Sequence, residues 1–296
     1  MGDVSLSNAT RTNLLSLQRT SNLIGRTQER LASGLKVNSA IDDALAFFKA
    51  RNLNARAGDL ATIKDEIANG ISTIKAAVQG LESIEATLKQ MKALASAAVS
   101  SPESSTRAKL ASQFNELRSQ VDNLAEDAKF NGVNLIKNTT SAFEAGADRL
   151  TVKFNERTTV TAVNQLIVSG LNTTDFDSIM ARSAVATGTA GATTVWGQTG
   201  TAAVTAINSA IRAIDSAMVT VRQASQSLGT NSSMLEIRRQ FTENLINTLK
   251  GGASSLVNAD LNEESANLLS LQTRQQLGTI SLSIAQQSEQ SVLRLF

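Results

Sequence analysis

Neither histidine nor cysteine occurs anywhere in the 296 residues. Zinc sites built on those ligands, cysteine nucleophiles and every serine–histidine–aspartate arrangement are therefore excluded. So is the His-Glu-x-x-His helix of a metalloprotease. Disulfides are excluded as well, and the chain carries no direct record of its redox compartment. Aromatic residues are few, nine Phe and one Trp with no Tyr, and the formal net charge is only +2. The basic residues stand singly, so neither base stacking nor a concentrated basic patch supports nucleic-acid binding. No apolar run approaches the ~18 residues of a membrane span. Met1–Thr20 also lacks the compact apolar core of a secretory signal, so any export is expected without a cleaved leader. Asp42 and Asp43 are the tempting carboxylate pair, but beside a helix start they read as cap and dipole partners. Carboxylate-only chemistry finds no pocket-forming segment, and the chain reads as neither an enzyme nor a cofactor binder.

One proline and abundant Ala, Leu, Ser, Gln and Asn favour long helices. In the N-terminal arm, Thr10–Ala44, the residues Leu14, Leu17, Ser21, Ile24, Gln28, Leu31 and Leu35 alternate at three and four. That is the a/d seam of a heptad repeat, weakened by Ser21 and Gln28. From Ala259 to Phe296 two stripes run: Leu268, Leu271, Leu282, Ala285, Val292 and Phe296 on one side, Leu269, Leu277, Ile280, Ile284 and Leu295 on the other. A helix apolar on two faces expects two neighbours. The two arms are expected to pair and then pack against copies of themselves. The Gln and Ser surplus between Asn262 and Phe296 suits a surface buried among copies, where neutral polar groups pair without desolvating charge.

Between the arms, Ser39 or Asp42 is expected to cap a helix through Ala44–Arg56. A longer helix follows on Ile67, Ile71, Ile74, Val78, Leu81, Ile84, Leu88, Met91, Ala95 and Ala98, with a stammer at Val78-Leu81-Ile84. Pro102 fits the first position of the next helix, which carries Leu110, Phe114, Leu117, Val121, Leu124 and Ala128 until Asn131-Gly132 stops it. Leu150–Phe154 and Thr158–Val168 read as a β-hairpin, and Leu171–Thr201 as a Thr-rich surface insert. A last long helix runs through Val204, Ile207, Ile211, Ile214, Met218, Val221, Ser225, Leu228, Met234, Ile237, Phe241 and Leu245 to a bend at Gly251-Gly252. Gly34 and Gly251 are the candidate bends, with ordinary helix stops as the equal alternative. The fold class is mainly α: a long antiparallel bundle or coiled-coil rod with a small β-hairpin excursion and both termini at one end. Its expected parts are terminal arms (1–40 with 253–296), a helical rod (41–170 with 202–252) and the insert (171–201).

The run Glu29-Arg30-Leu31-Ala32-Ser33-Gly34-Leu35-Lys36-Val37-Asn38-Ser39-Ala40-Ile41-Asp42-Asp43-Ala44 resembles the N-terminal signature of bacterial flagellins, commonly ERLSSGLRINSAKDDA. Asn69-Gly70-Ile71-Ser72 and Phe130-Asn131-Gly132-Val133 are similar to two further landmarks of that family, and the tail from Ala259-Asp260 to Leu295-Phe296 is similar to its C-terminal arm. The resemblance covers about Val4–Ile136 and Ala203–Phe296. It implies a subunit that self-polymerises into the extracellular flagellar filament for swimming, exported unfolded without leader cleavage. The arms would form the inner tubes and the long helices the outer shell. The implied partners are copies of the chain, the export apparatus and its chaperone, the filament cap and hook-junction proteins, with no nucleic acid and no membrane. The alternatives are a hook–filament junction protein, or a secreted adhesive or signalling module using the insert. Flagellins recognised by the vertebrate innate receptor carry a pattern like LQRVRELA. Here Leu88–Ala95 keeps Leu94 but has Gln90 for Arg and Ala93 for Glu, and losing the guanidinium fork implies weak or absent receptor activation.

Overall fold

The computed structural model describes residues 8–137, 149–156, 164–171, 195–198 and 200–293. Five helices carry it: α1 Asn8–Ser33, α2 Ala44–Ser100, α3 Ser104–Asp127, α4 Thr201–Val257 and α5 Leu261–Leu293. Two small antiparallel sheets complete it, β1 Lys129–Phe130 with β2 Val133–Asn134, and β3 Arg149–Lys153 with β4 Gln165–Ser169. The fold is mainly α with a small β-hairpin, as the periodicities predict. The chain divides into two compact units, residues 1–58 with 246–296, and residues 59–245. Helices α2 and α4 contribute residues to both.

The expected separate helix Ala44–Arg56 is instead the start of the 57-residue α2. One glycine, Gly58, costs a helix about 1 kcal/mol. The buried stripe of Ala50, Ala57, Leu60, Ile63 and Ile67 crosses it without interruption. The cap also differs from expectation: Asp43 Oδ1 accepts the Ala46 amide at 3.0 Å, so Asp43, not Ser39 or Asp42, starts the helix. Further on, the stammer disappears. Gly70 and Ala77 are buried seam residues, and with them Ile63, Ile67, Gly70, Ile74, Ala77, Leu81, Ile84, Leu88 and Met91 alternate regularly at four and three. They are small because neighbours come close. A Cβ on Gly70 would lie 2.7 Å from Val152, and one on Gly80 2.6 Å from Ile136 and 2.7 Å from Ala128.

Within residues 59–245, α2 and α4 run antiparallel. Glu85 bonds Arg222 and Lys92 bonds Asp215, so partners descend α4 as α2 ascends. The buried seam of α4 is Ala203, Ile207, Ala210, Ile214, Ala217, Val221, Leu228 and Leu235. Alanines occupy positions that the sequence assigned to Val204 and Ile211, and Val204, Met234, Ile237 and Phe241 are exposed. Gly251 makes no bend. It lies inside α4, whose buried Ile246, Leu249 and Ala253 carry the helix through the glycine pair. Pro102 precedes α3 rather than opening it, since Glu103 is the N-cap residue; it ends α2 by disfavouring helical geometry at Ser101. The α3 seam holds Arg107, Ala111, Phe114, Val121 and Ala125, with Leu110, Leu117 and Leu124 half-buried at its flanks.

The landmark Phe130-Asn131-Gly132 does more than stop α3. Asn131 (φ 50°) and Gly132 (φ 84°) form the two-residue turn between β1 and β2, the Asn-Gly pair that suits a hairpin with right-handed twist. The following Asn134 side chain donates to the Ala125 carbonyl at 2.8 Å and accepts the Ile136 amide at 2.9 Å. It thereby caps the end of α3 and aims Ile136 at Gly80. In the second hairpin Leu150 faces Val168 and Val152 faces Leu166. The second strand is 165–169 rather than 158–168, and residues 157–163 lie outside the described residues. Most of the expected insert, 172–194, also lies outside them.

These notches give a paired prediction. Gly80→Ala should lower stability by about 1–3 kcal/mol, because the Ala128 Cβ has no rotamer with which to yield. Gly58→Ala, with nothing within 4 Å, should raise it by about 0.5–1 kcal/mol. Urea unfolding of both variants checks the pair, and equal effects would refute the packing account.

Candidate functional site

The candidate site is the pair of terminal arms and the joint that connects them. α1 and α5 pack antiparallel: Arg30 meets Glu264 near one end, and Leu17 sits over Gly278 further along, 2.7 Å from where a Cβ would stand. The face of α1 turned inward is Thr10, Asn13, Leu17, Thr20, Ile24, Thr27 and Leu31. Leu17, Ile24 and Leu31 lie in the contact, whereas Leu14, Ser21 and Gln28 are exposed and threonines take their places. The Thr20 hydroxyl shows why: it donates back to the Ser16 carbonyl at 2.9 Å, so the methyl is left to face the partner. A threonine whose hydroxyl is satisfied by its own helix packs as a small apolar residue.

On α5 the inward face is Glu264, Leu268, Leu271, Gln275, Gly278, Leu282 and Ala285. The second stripe is uncovered: Leu269, Leu277, Ile280 and Ile284 are 56–67% exposed. Of the remaining assembly candidates, the Val292 side chain and Leu295 and Phe296 lie outside the described residues. Leu35 is not on the α1 stripe, because the helix stops at Ser33. The stop is Gly34, whose φ of 69° is a left-handed helix end that glycine adopts without a Cβ clash. Its amide donates to the Arg30 carbonyl at 2.8 Å.

Beyond Gly34 the chain forms a backbone clasp. Leu35 bridges Asn258 in antiparallel sense, the amides of Lys36 and Val37 both donate to the Val257 carbonyl, and the Ala259 amide donates to the Gly34 carbonyl at 3.0 Å. The Val37 side chain is buried. The exit of α1 is thus tied to the junction of α4 and α5. The Arg30–Glu264 ion pair, at 3.0 Å with Glu264 only 10% exposed, fixes the same end of the arm pair. Asp260 opens α5 by accepting the Asn262 amide at 2.9 Å.

Asp42 organises the rest of the signature. Its Oδ2 accepts the amides of Asn38 and Ser39 and the Ser39 hydroxyl, all within 3.2 Å. Those bonds, the Ser39 amide first, hold the carboxyl below its ordinary pKa. Hydrogen bonds that favour the charged form give this direction. The two aspartates therefore have separate structural tasks, a turn for Asp42 and a helix cap for Asp43; Asp42 also lines a small cleft with Arg26, Glu29 and Arg30. Ser33 Oγ accepts the Leu35 amide, and Glu29 is exposed. Phe130, Asn131 and Gly132 lie in the β1–β2 hairpin, away from the arms in the sequence and in the other unit. Gln90 and Ala93 are exposed on α2, and Leu94 is half-buried. The clasp itself was not read from the sequence. Val37 inside an otherwise polar Lys-Val-Asn-Ser run, immediately after a glycine stop, was the available signal. Among the described residues no cluster of acidic side chains is placed to hold a metal, and no helix is long and apolar enough to cross a membrane.

A lowered carboxyl pKa stabilises the turn above the ordinary aspartate value, and that stabilisation is lost as pH falls through the folded value. The Ser39 amide resonance should therefore titrate with a midpoint below that of an unstructured aspartate. Asp42→Ala should abolish the titration, and an unchanged curve would remove Asp42 from the turn.

Comparisons with known proteins match both ends of the chain. Residues 4–141 match the bacterial flagellin N-terminal helical region, and residues 211–296 match the bacterial flagellin C-terminal helical region. Flagellin FljM of Caulobacter vibrioides is 36% identical over 96% of this chain and 94% of its own. A flagellin of Brucella melitensis is 26% identical over 100% of this chain and 99% of its own. Among solved structures, one described as a flagellar hook-associated protein from Vibrio parahaemolyticus covers 73% of this chain and 100% of its own, with a TM-score of 0.57. At 17% identity that likeness concerns the fold alone. With both terminal regions matched and a relative aligned over nearly its whole length, the chain belongs to the bacterial flagellin family, the structural subunits of the flagellar filament.

Proposed function

We propose that this filament subunit polymerises by folding its terminal arms against neighbouring copies. What supports the reading is the uncovered stripe Leu269, Leu277, Ile280 and Ile284 on α5, a helix whose opposite face is already taken by α1. Ordering each arm residue costs about 1–2 kcal/mol of backbone entropy, whereas a fully buried large apolar side chain contributes about 1.5–3 kcal/mol. A seam of threonine, glycine and half-buried leucine recovers little of that cost within one subunit. Burial of the second stripe between copies would supply the remainder, so growth depends on the arms. Leu17, Ile24, Leu31, Leu268, Leu271 and Leu282 are the proposed intrasubunit seam, Leu14 its exposed edge, and Leu277, Ile280 and Ile284 the proposed contact with neighbours. Export without a cleaved leader, and engagement of the export apparatus, its chaperone, the cap and the hook-junction proteins, belong to this reading as the family's route to the filament. So do both termini lying at one end, and Gln90 and Ala93 as substitutions that weaken activation of the vertebrate receptor.

Electron microscopy of purified protein tests the polymer contact. The intact chain with seed fragments should give long uniform filaments, and Ile284→Asp should give none while retaining monomer helicity. An aspartate buried unpaired between copies is costly. Normal filaments from Ile284→Asp would refute the placement, and an intact chain that never polymerises would favour the junction-protein alternative. A receptor reporter assay checks the second assignment: Gln90→Arg with Ala93→Glu should raise the response well above that of the parent chain. A strong parent response would overturn it.

A further inference from the structure

Among the described residues Arg107 is the one buried cation, and filament formation leaves its surroundings unexplained. It is 7% exposed, and among the described residues its guanidinium meets carbonyl oxygens and no carboxylate. Nε donates to Trp196 at 2.9 Å, one terminal nitrogen to Ser101 and Pro102 at 2.9 and 2.8 Å, and the other to Gln198 at 2.8 Å. Two of these carbonyls follow the C-terminus of α2, where the helix dipole favours a cation. The other two belong to the short stretch around the 3-10 turn Val195–Gly197, just before α4. A single turn of that kind has too few internal bonds to stand alone. Trp196 is fully buried with its ring 5.0 Å from Phe114, yet among the described residues its indole N–H finds no acceptor. The indole is thus seated by ring packing, and the backbone around it by one arginine.

We propose that Arg107 is the positioning residue of a latch: it fastens Val195–Gln198 to the α2–α3 turn, and the latch opens locally, apart from the helical bundle. Lysine cannot replace the guanidinium, since a point ammonium does not span carbonyls on two segments.

Trp196 is the only tryptophan and the chain has no tyrosine, so intrinsic fluorescence of the full chain reports the latch directly. In Arg107→Gln, acrylamide quenching should rise several-fold and emission should move to the red, with helical circular dichroism unchanged. Wild-type shielding of Trp196 in a folded Arg107→Gln protein would overturn the proposal. Should that variant fail to fold, urea titration of the wild type decides. Unshielding of Trp196 at lower urea than helix loss supports a local latch, and coincident transitions overturn it.

Discussion

Close approach at small residues of the helices is the constraint on which the rest of this structure depends. In α2 the seam narrows at Gly70 and Ala77, in α4 at Ala203, Ala210 and Ala217, and in the arm pair at Thr20, Thr27 and Gly278. Where a glycine is approached closely a larger side chain fills the notch, Val152 at Gly70, Ile136 at Gly80 and Leu17 at Gly278. Interdigitation of this kind fills an interior at the density of a crystal. It also moves several large apolar residues outward. Leu14 and Leu15, Ile237 and Phe241, and the α5 stripe all lie on surfaces of a chain that has core positions available. Those exposed side chains are the apolar surface on which the proposed contacts between copies draw.

The signature sequence makes sense as a joint rather than as a site of chemistry. Gly34 turns the chain, Leu35 to Val37 bond to the backbone at Val257–Ala259, Asp42 closes the turn, and Asp43 starts α2. Because the clasp bonds the exit of one arm to the entrance of the other, the arms are constrained as a pair. Arg30 and Glu264 add register, the best-supported role for a partly buried ion pair. Such a joint needs few large side chains, which is why its residues look unremarkable by composition.

Much of this was legible in the sequence. The α2–α3 turn at Pro102, the hairpin near Leu150 and the two-faced character of α5 all follow from periodicity and from breaker residues. The resemblance at Glu29–Ala44 and Phe130–Val133 named the family before any coordinates. The errors have one physical origin. Counting large apolar residues assigned the seams to Leu14, Val204 and Ile237, whereas packing placed threonine, alanine and glycine there. The same counting produced a false stammer in α2 and hid the regular repeat through Gly70 and Ala77. Glycine was misread at Gly251, where continuous burial on both sides outweighs the cost of the pair, and read correctly at Gly34, where burial ends.

By itself the sequence determined the class of protein: no histidine or cysteine chemistry, long heptad-patterned helices, and a C-terminal arm apolar on two faces. Tertiary structure decided which residues face inward, because close approach selects for size as well as polarity and the partner's shape is absent from a single helix's pattern. It also decided the clasp between Gly34–Val37 and Val257–Ala259. Backbone amides and carbonyls make that joint, and those are the atoms every residue shares.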